Sequence, residues 1–356
     1  MKILKFGLST LTSVFLVACG GGGIPSDPEV RDYSDTFTPL PTNAIYPVNN
    51  PFDLEKEKLG ELLFWDPILS GDQNTSCASC HHPDFGWADG RRLSIGSDGI
   101  GLGPNRQGNQ VTPIHSPSIM NVAFTGITNT SQASFTSGPY FWDLRASSLA
   151  EQALGPIKNP VEMLGYNVSE EQVMTEITTR LSGIPEYVSL FEQAFGNETA
   201  ITGENIAKAI ATFQRKIISP NTRFDKFLAG EVSMLSQQEV IGLNKFIDGG
   251  CSRCHSGPMF SDNQKHDGEA VINDKIVRTP TLRNISLTAP YMHDGSRATL
   301  RDAIAAYDDR GDLDVNIGGG DFGDIEAFLR TLTSNDFYSD KPIRVPSGLP
   351  VGGQIN

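Results

Sequence analysis

Two short stretches, GGCSRCHSGP at residues 249–258 and TSCASCHHPD at residues 75–84, decide the fold of this chain. Each places two cysteines three positions apart and follows the second cysteine directly with a histidine. Dithiol redox motifs, zinc sites and sites of covalent haem attachment all begin in this way. The other residues of the sequence must therefore distinguish among these three chemistries.

The cysteine count favours haem attachment. The chain has 356 residues and five cysteines, four of which form the pairs Cys77/Cys80 and Cys251/Cys254. A thioredoxin-like site requires a βαβ context, and the sequence shows helices and loops instead. A single Cys₄ zinc site would leave both adjacent histidines unexplained. The two pairs are therefore predicted to bind two c-type haems through thioether bonds.

The histidine after each pair is predicted to bind the iron. It follows the attachment site so closely that it lies under the metal, which makes His81 and His255 the proximal ligands. His82 is predicted as a surface residue. Only 38% of the residues are hydrophobic, and two apolar porphyrins would supply much of the missing core. The 36 glycines and 22 prolines predict long loops.

The N-terminal segment MKILKFGLSTLTSVFLVAC, residues 1–19, has the features of an export signal. Lys2 and Lys5 form a positive start, and residues 6–18 form an apolar run that is too short to cross a bilayer comfortably. A lipoprotein signal peptide is therefore predicted over residues 1–18.

The end of this segment, LVAC, resembles the lipobox of bacterial lipoproteins. The resemblance implies that Cys19 carries acyl chains, and that residues 19–45 form a flexible tether from the membrane. Because Gly20 rather than an aspartate follows, it also implies the periplasmic side of the outer membrane or the cell exterior. Removing the signal changes the net charge from −14 to −16, which excludes nucleic acid as a partner.

An internal repeat extends beyond the cysteine motifs. SPSIMN (116–121) and PYFWDLRASSL (139–149) follow the first motif, while TPTLRN (279–284) and PYMHDGSRATL (290–300) follow the second. The order and chemistry agree, so one small module is predicted to have been duplicated.

Amphipathic helical patterns flank these motifs, and no good run of alternating strands is present. The clearest helical segments are 53–66, 169–196, 203–218, 236–248 and 322–335. The predicted fold is all-α, with two cytochrome c-like haem domains and long loops. The boundary between the domains is predicted near residue 218.

Longer motifs resemble one family. FWDLRASSLAEQALGPIKNPVEM (141–163) and VRTPTLRNISLTAPYMHDGSRATLRDAIAAY (277–307) resemble the bacterial dihaem cytochrome c peroxidase and MauG superfamily, and the resemblance covers residues 50–335. It implies that residues 46–218 form a peroxidatic domain, whose haem meets hydrogen peroxide. Residues 219–342 would then form an electron-transfer domain.

The resemblance also implies a set of catalytic residues. Cleavage of peroxide requires a group that moves a proton from one oxygen to the other. Glu162 and Gln152 match the family's distal glutamate and glutamine, with Gln152 either catalytic or orienting Glu162. Trp142 matches the family's tryptophan between the haems and would relay electrons.

The resemblance also implies further ligands of the two haems and of a calcium ion. Tyr307 matches the MauG-type distal ligand of the second haem, and Met259 and Met292 are rival ligands. His115 either ligates the first haem in a resting state or hydrogen-bonds its own loop. A calcium ion is implied between the domains, and its ligands would be Asn121, Thr288 and Pro290.

The implied activity has two forms. A peroxidase would reduce hydrogen peroxide with electrons from a small c-type cytochrome or a cupredoxin, whereas a MauG-like enzyme would oxidise a partner protein. The alternative from another class is a non-catalytic dihaem electron-transfer cytochrome. A homodimer is left open as the oligomeric state.

Overall fold

The computed structural model describes residues 29–127, 137–196, 201–266, 271–272, 275–308 and 315–355. Its regular structure is helical, which confirms the all-α prediction. In the described part the strands are β1 (Val271–Ile272) and β2 (Lys275–Ile276), which pair antiparallel. The helices are α1 (Leu54–Trp65), α2 (Leu149–Lys158), α3 (Glu170–Ser182), α4 (Pro185–Phe195), α5 (Gly203–Lys216), α6 (Arg223–Leu228), α7 (Gln237–Asp248), α8 (Leu300–Asp308) and α9 (Phe322–Arg330). None of these helices has the length and apolar character needed to span a membrane.

Each half of the chain contains one close helix crossing. In the first half α1 packs on α5, and a Cβ added to Gly60 would lie 1.9 Å from the carbonyl oxygen of Ala209. In the second half α7 packs on α9, and a Cβ added to Gly242 would lie 1.8 Å from the carbonyl oxygen of Asp324. Glycine is therefore required at both crossings, because the two backbones touch there.

The two repeated segments also fold alike. Asn121 and Asn284 end the two matching hexapeptides, and both adopt left-handed backbone with φ of 62° and 60°. Both side-chain amides donate a hydrogen bond to the hydroxyl of Ser219. The hydroxyls of Tyr140 and Tyr291 each donate to the carbonyl of the residue after the matching asparagine. This correspondence is what an internal duplication predicts.

The N-terminal segment packs on the second half of the chain. Tyr33 and Phe37 are buried in the core formed by α6, α7, α8 and α9. The ring of Phe37 stacks on that of Phe260, with the ring centroids 4.5 Å apart. The flexible tether predicted over residues 19–45 is therefore wrong for residues 29–45, because buried aromatic side chains fix this stretch. Cys19 and the predicted signal peptide lie outside the described residues.

The C-terminal segment packs on the first half. Val345 lies in the core formed by α1 to α5, and Tyr338 packs against it. The indole nitrogen of Trp87 donates a 2.8 Å hydrogen bond to the carbonyl of Tyr338. Each terminal segment thus covers the core of the opposite half, an exchange that no local sequence pattern indicated.

Candidate active site

A backbone carbonyl holds each of the two histidines that are predicted as proximal ligands. The Nδ1 atom of His81 lies 3.3 Å from the carbonyl oxygen of Trp87, and that of His255 lies 3.0 Å from the carbonyl oxygen of Phe260. A hydrogen bond at Nδ1 fixes the tautomer and leaves Nε2 to bind a metal. Burial lowers the pKa of His81 to about 4 and also lowers that of His255, which keeps both rings in the neutral form that binds iron.

The four cysteines do not resemble a reactive dithiol. Burial raises the pKa of Cys77 to about 12 and that of Cys251 to about 11, whereas reactive thiols have a lowered pKa. Cys77 packs against the first core and Cys251 against the second, so the two pairs do not form one Cys₄ zinc site. The donor set fits two separate covalently attached haems.

A cavity of about 420 Å³ opens beside the second cysteine pair. This size suits a cofactor. Cys251, Cys254 and His255 lie in its wall. Apolar side chains from three helices complete the wall, namely Phe246, Leu300, Ala303, Ile304, Ile325 and Leu329. The cavity therefore provides both the attachment points and the apolar surroundings that a haem requires.

Glu162 lies in a π-helical turn, Pro160–Leu164, directly after α2. The side chain of Asn159 determines its position: the amide Nδ2 donates a 2.8 Å hydrogen bond to Glu162 Oε1, and Oδ1 accepts one from the backbone N–H of Val161. Burial raises the pKa of Glu162, while the nearby Arg145 guanidinium lowers it. Asn159 was not among the residues predicted from the sequence, although an Asn–Pro pair is a recognised signal for a turn.

Two glycines hold this turn in place. A Cβ added to Gly96 would lie 1.8 Å from the carbonyl oxygen of Val161, and one added to Gly71 would lie 1.9 Å from that of Leu164. The negative charge of Glu162 acts on the buried thiols of Cys77 and Cys80. A partly buried carboxyl group is thus fixed close to the first predicted attachment site.

Gln152 and Trp142 occupy different surroundings. Gln152 is half-buried on α2, and no hydrogen bond joins it to Glu162 in the described part of the chain.

Trp142 lines the cavity of the second site, and its indole nitrogen donates a 2.9 Å hydrogen bond to the carbonyl of His115. The ring of Trp142 lies edge-on to that of His293, with the centroids 6.4 Å apart. Trp142 therefore connects the first half of the chain to the second site.

The structure narrows the candidates for the distal ligand of the second haem. Tyr307 and Met292 both line the cavity. Met259 is buried in a separate cluster with Phe124 and Ile127 and is absent from the described cavity wall. Of the three candidates, Met259 is therefore the one that the described structure places away from the second cavity.

His115 is buried and makes one of its two predicted types of contact. Its Nδ1 atom lies 2.9 Å from the carbonyl oxygen of Arg91 and 3.3 Å from that of Arg92. Its backbone N–H donates to the carbonyl of His293. These hydrogen bonds hold the loop, whereas ligation of the first haem stays a prediction.

The residues expected to bind calcium are only partly brought together. Thr288 and Pro290 both lie in the wall of the second cavity. The side chain of Asn121 points elsewhere: Nδ2 donates to the hydroxyl of Ser219, and Oδ1 accepts from the backbone N–H of the same serine. His115, and not Asn121, lies in the cavity wall with the other two residues.

The expectation for His82 was wrong. This residue is 2% exposed, and its ring packs against those of Trp65 and Phe85. Burial lowers its pKa to about 4, so the ring is neutral, and its Nδ1 accepts a hydrogen bond from the backbone N–H of Asp84. Two apolar neighbours make it a core residue.

Comparison with known proteins agrees with this geometry. The family model for di-haem cytochrome c peroxidase matches residues 54–233. A cytochrome c551 peroxidase of Nitrosomonas europaea is 34% identical over 86% of this chain and 87% of its own length. This chain belongs to the di-haem cytochrome c peroxidase and MauG family. The MauG protein of Methylorubrum extorquens is also 34% identical, over 75% of this chain and 72% of its own.

Solved structures support the same family. A MauG-like protein associated with microbial copper homeostasis is 28% identical and has a TM-score of 0.68. The match covers 83% of this chain and 95% of that one. As a member of the family, the chain is an oxidoreductase of the peroxidase type and carries two c-type haems.

Proposed function

We propose that this enzyme reduces hydrogen peroxide at the His81 site and receives the required electrons through the His255 site. The observation that supports this most directly is the partly buried carboxyl group of Glu162, which is held by Asn159 close to the first cysteine pair. A protein that only carries electrons has no need for a fixed proton shuttle. The non-catalytic alternative is therefore disfavoured.

The chain contributes proton movement to this reaction. Hydrogen peroxide, two electrons and two protons give two molecules of water, and the haem, when bound, supplies the redox chemistry that cleaves the O–O bond. Glu162 accepts a proton from one peroxide oxygen and returns it to the other, which leaves as water. Burial and the Arg145 charge act in opposite directions on its pKa, which suits a group that must both accept and donate. Gln152, which makes no hydrogen bond to Glu162 in the described part of the chain, would act by orienting peroxide.

Trp142 is the proposed route for electrons between the two sites. Its indole lines the second cavity, and its hydrogen bond to the carbonyl of His115 fixes it to the first half of the chain. An oxidisable aromatic ring in this position supports a role for Trp142 as an electron relay to the second site. The donor would be a small c-type cytochrome or a cupredoxin.

The test of this proposal is Glu162→Gln in the protein with both haems attached. We expect the second-order rate of reaction with hydrogen peroxide, followed by stopped-flow absorbance, to fall by about 10²–10⁴-fold. Glu176→Gln is the matched control because Glu176 is an exposed acid on α3, and it should leave the rate unchanged. A Glu162→Gln variant with the original rate would refute the assignment.

A second candidate function is MauG-like oxidation of a partner protein. The position of Tyr307 in the cavity wall favours it, because an anionic phenolate stabilises an oxidised metal centre more than a thioether does. A peroxide-dependent change in the mass of a candidate protein substrate, in the absence of a cytochrome donor, would distinguish this activity from simple peroxide reduction.

We also propose a lipid anchor and a calcium site, both away from the reacting groups. The lipobox at Cys19 supports anchoring to the periplasmic side of the outer membrane or to the cell exterior, and Cys19→Ser should abolish labelling by radioactive palmitate. Thr288 and Pro290, which both lie in the wall of the second cavity, are proposed to bind a calcium ion between the domains through their backbone oxygens. Elemental analysis of the purified protein before and after treatment with a chelator tests that site.

A further inference from the structure

Arg278 is a partly buried cation in the wall of the second cavity. Its backbone N–H donates a 2.9 Å hydrogen bond to the carbonyl of Trp142, and its Nη1 donates a 3.0 Å hydrogen bond to Oδ1 of Asn263. Its Nε atom is shielded from solvent and has no hydrogen-bond partner. One donor of this guanidinium is therefore not satisfied by any protein group in the described part of the chain.

No carboxylate in the described part of the chain forms an ion pair with Arg278. Arg283 lies in the same cavity wall and differs from Arg278 in this respect. It forms a 2.8 Å ion pair with buried Asp225. Burial lowers the pKa of Arg278 to about 10, which still leaves it charged at neutral pH. A buried charge without a counter-ion is costly, so the cavity must supply an anion when it is filled.

Asn263 holds the guanidinium in a defined orientation. Its Nδ2 donates to the carbonyls of Gly138 and Pro139 at 3.3 and 3.2 Å, which directs its Oδ1 toward Arg278. Asn263 is only 4% exposed. A guanidinium that is fixed in this way is preorganised for a planar carboxylate, which it can bind through two parallel hydrogen bonds.

We propose that Arg278 binds a propionate carboxylate of the haem attached to Cys251 and Cys254. The propionate is the anionic group that a covalently attached haem brings into this cavity. The positive charge at this edge of the haem favours the reduced state, so Arg278 raises the reduction potential of the second haem relative to the first. This inference rests on the presence of the second haem and is independent of the proton chemistry at Glu162.

The experiment compares Arg278→Gln and Arg278→Lys with Arg297→Gln, each with both haems attached. Arg297 is an exposed arginine outside the described cavity wall, so its variant makes the same change of charge at a matched surface position. In a spectroelectrochemical titration we expect Arg278→Gln to shift the second haem to lower potential and to leave the first haem unchanged. Arg278→Lys should shift it less, and Arg297→Gln should shift neither haem.

Resonance Raman spectroscopy gives a direct readout of the contact. The propionate-bending band of the second haem should move in both Arg278 variants and stay in place in Arg297→Gln. An unchanged potential and an unchanged band in Arg278→Gln would overturn the proposal. If Arg278→Gln does not fold with both haems attached, an unchanged propionate band in Arg278→Lys overturns the proposal equally. A lysine cannot reproduce the two-donor geometry of the guanidinium.

Discussion

The side-chain amide of Asn159 donates a 2.8 Å hydrogen bond to Oε1 of Glu162 and so fixes the proposed proton shuttle from a position three residues earlier. The backbone carbonyl of Asn159 accepts the N–H groups of Glu162, Met163 and Leu164. One residue thus shapes the turn and orients the carboxyl group.

Asn159→Ala should slow the reaction with peroxide by about 10-fold to 100-fold, which is less than removal of the carboxyl group itself. The carboxyl group remains, but it loses the hydrogen bond that orients it. Stopped-flow absorbance at the Soret band measures the rate. Asn43→Ala is the control because Asn43 is exposed and its side-chain amide donates a hydrogen bond to the neighbouring Thr42, far along the chain from Glu162. A rate for Asn159→Ala equal to that of the unaltered enzyme would contradict this role.

The pH dependence of the same rate should report the pKa of Glu162. Burial raises this pKa, so the carboxyl group stays protonated to a higher pH than an ordinary glutamate does. Only the carboxylate can accept a proton from peroxide, and the rate should therefore fall as the pH decreases through the raised value. Arg145 favours the carboxylate, so Arg145→Gln should move this fall to higher pH.

The control for this shift is Arg344→Gln, which removes an exposed arginine that pairs with Glu186 on the surface. It should leave the pH profile unchanged. The same profile in Arg145→Gln and in the unaltered enzyme would show that Arg145 does not act on Glu162.

The sequence predicts the haem ligands because covalent attachment imposes a strict local spacing. The cysteine pairs, His81 and His255 all follow from a five-residue pattern, and the helices follow from apolar periodicity. The orientation of Glu162 also depends on a local turn, but the role of Asn159 in it becomes visible only when the π-helical geometry is known.

Local sequence patterns do not predict contacts between residues that are far apart in the chain. The burial of Phe37 depends on a ring more than 200 positions away, and the burial of His82 depends on packing from α1. The amide of Asn121 is occupied by Ser219, nearly a hundred residues later. Family resemblance assigns a role to a position in the sequence. Only the tertiary contacts show which groups the side chain at that position binds.

The backbone of the first repeat is strained at Leu144. Leu144 adopts a left-handed backbone with φ of 60°, and the matching position of the second repeat is Gly295, also with φ of 60°. Because a side chain is disfavoured there, Leu144→Gly should raise the free energy of unfolding by about 0.5 to 1 kcal/mol. Denaturant unfolding followed by circular dichroism measures the change. Leu102→Gly, at a half-buried leucine with φ of −132°, should instead lower it.

The identity of the distal ligand at the second haem can be decided by two matched variants. Tyr307 and Met292 both line the cavity, and each has an apolar analogue of similar size. If the Tyr307 phenolate binds the iron, Tyr307→Phe should change the low-temperature EPR signal of the second haem, while Met292→Leu should leave it unaltered. The signal of the first haem serves as the internal reference in both samples. The reverse result, with a change in Met292→Leu alone, would assign the thioether as the ligand and would favour the peroxidase over MauG-like chemistry.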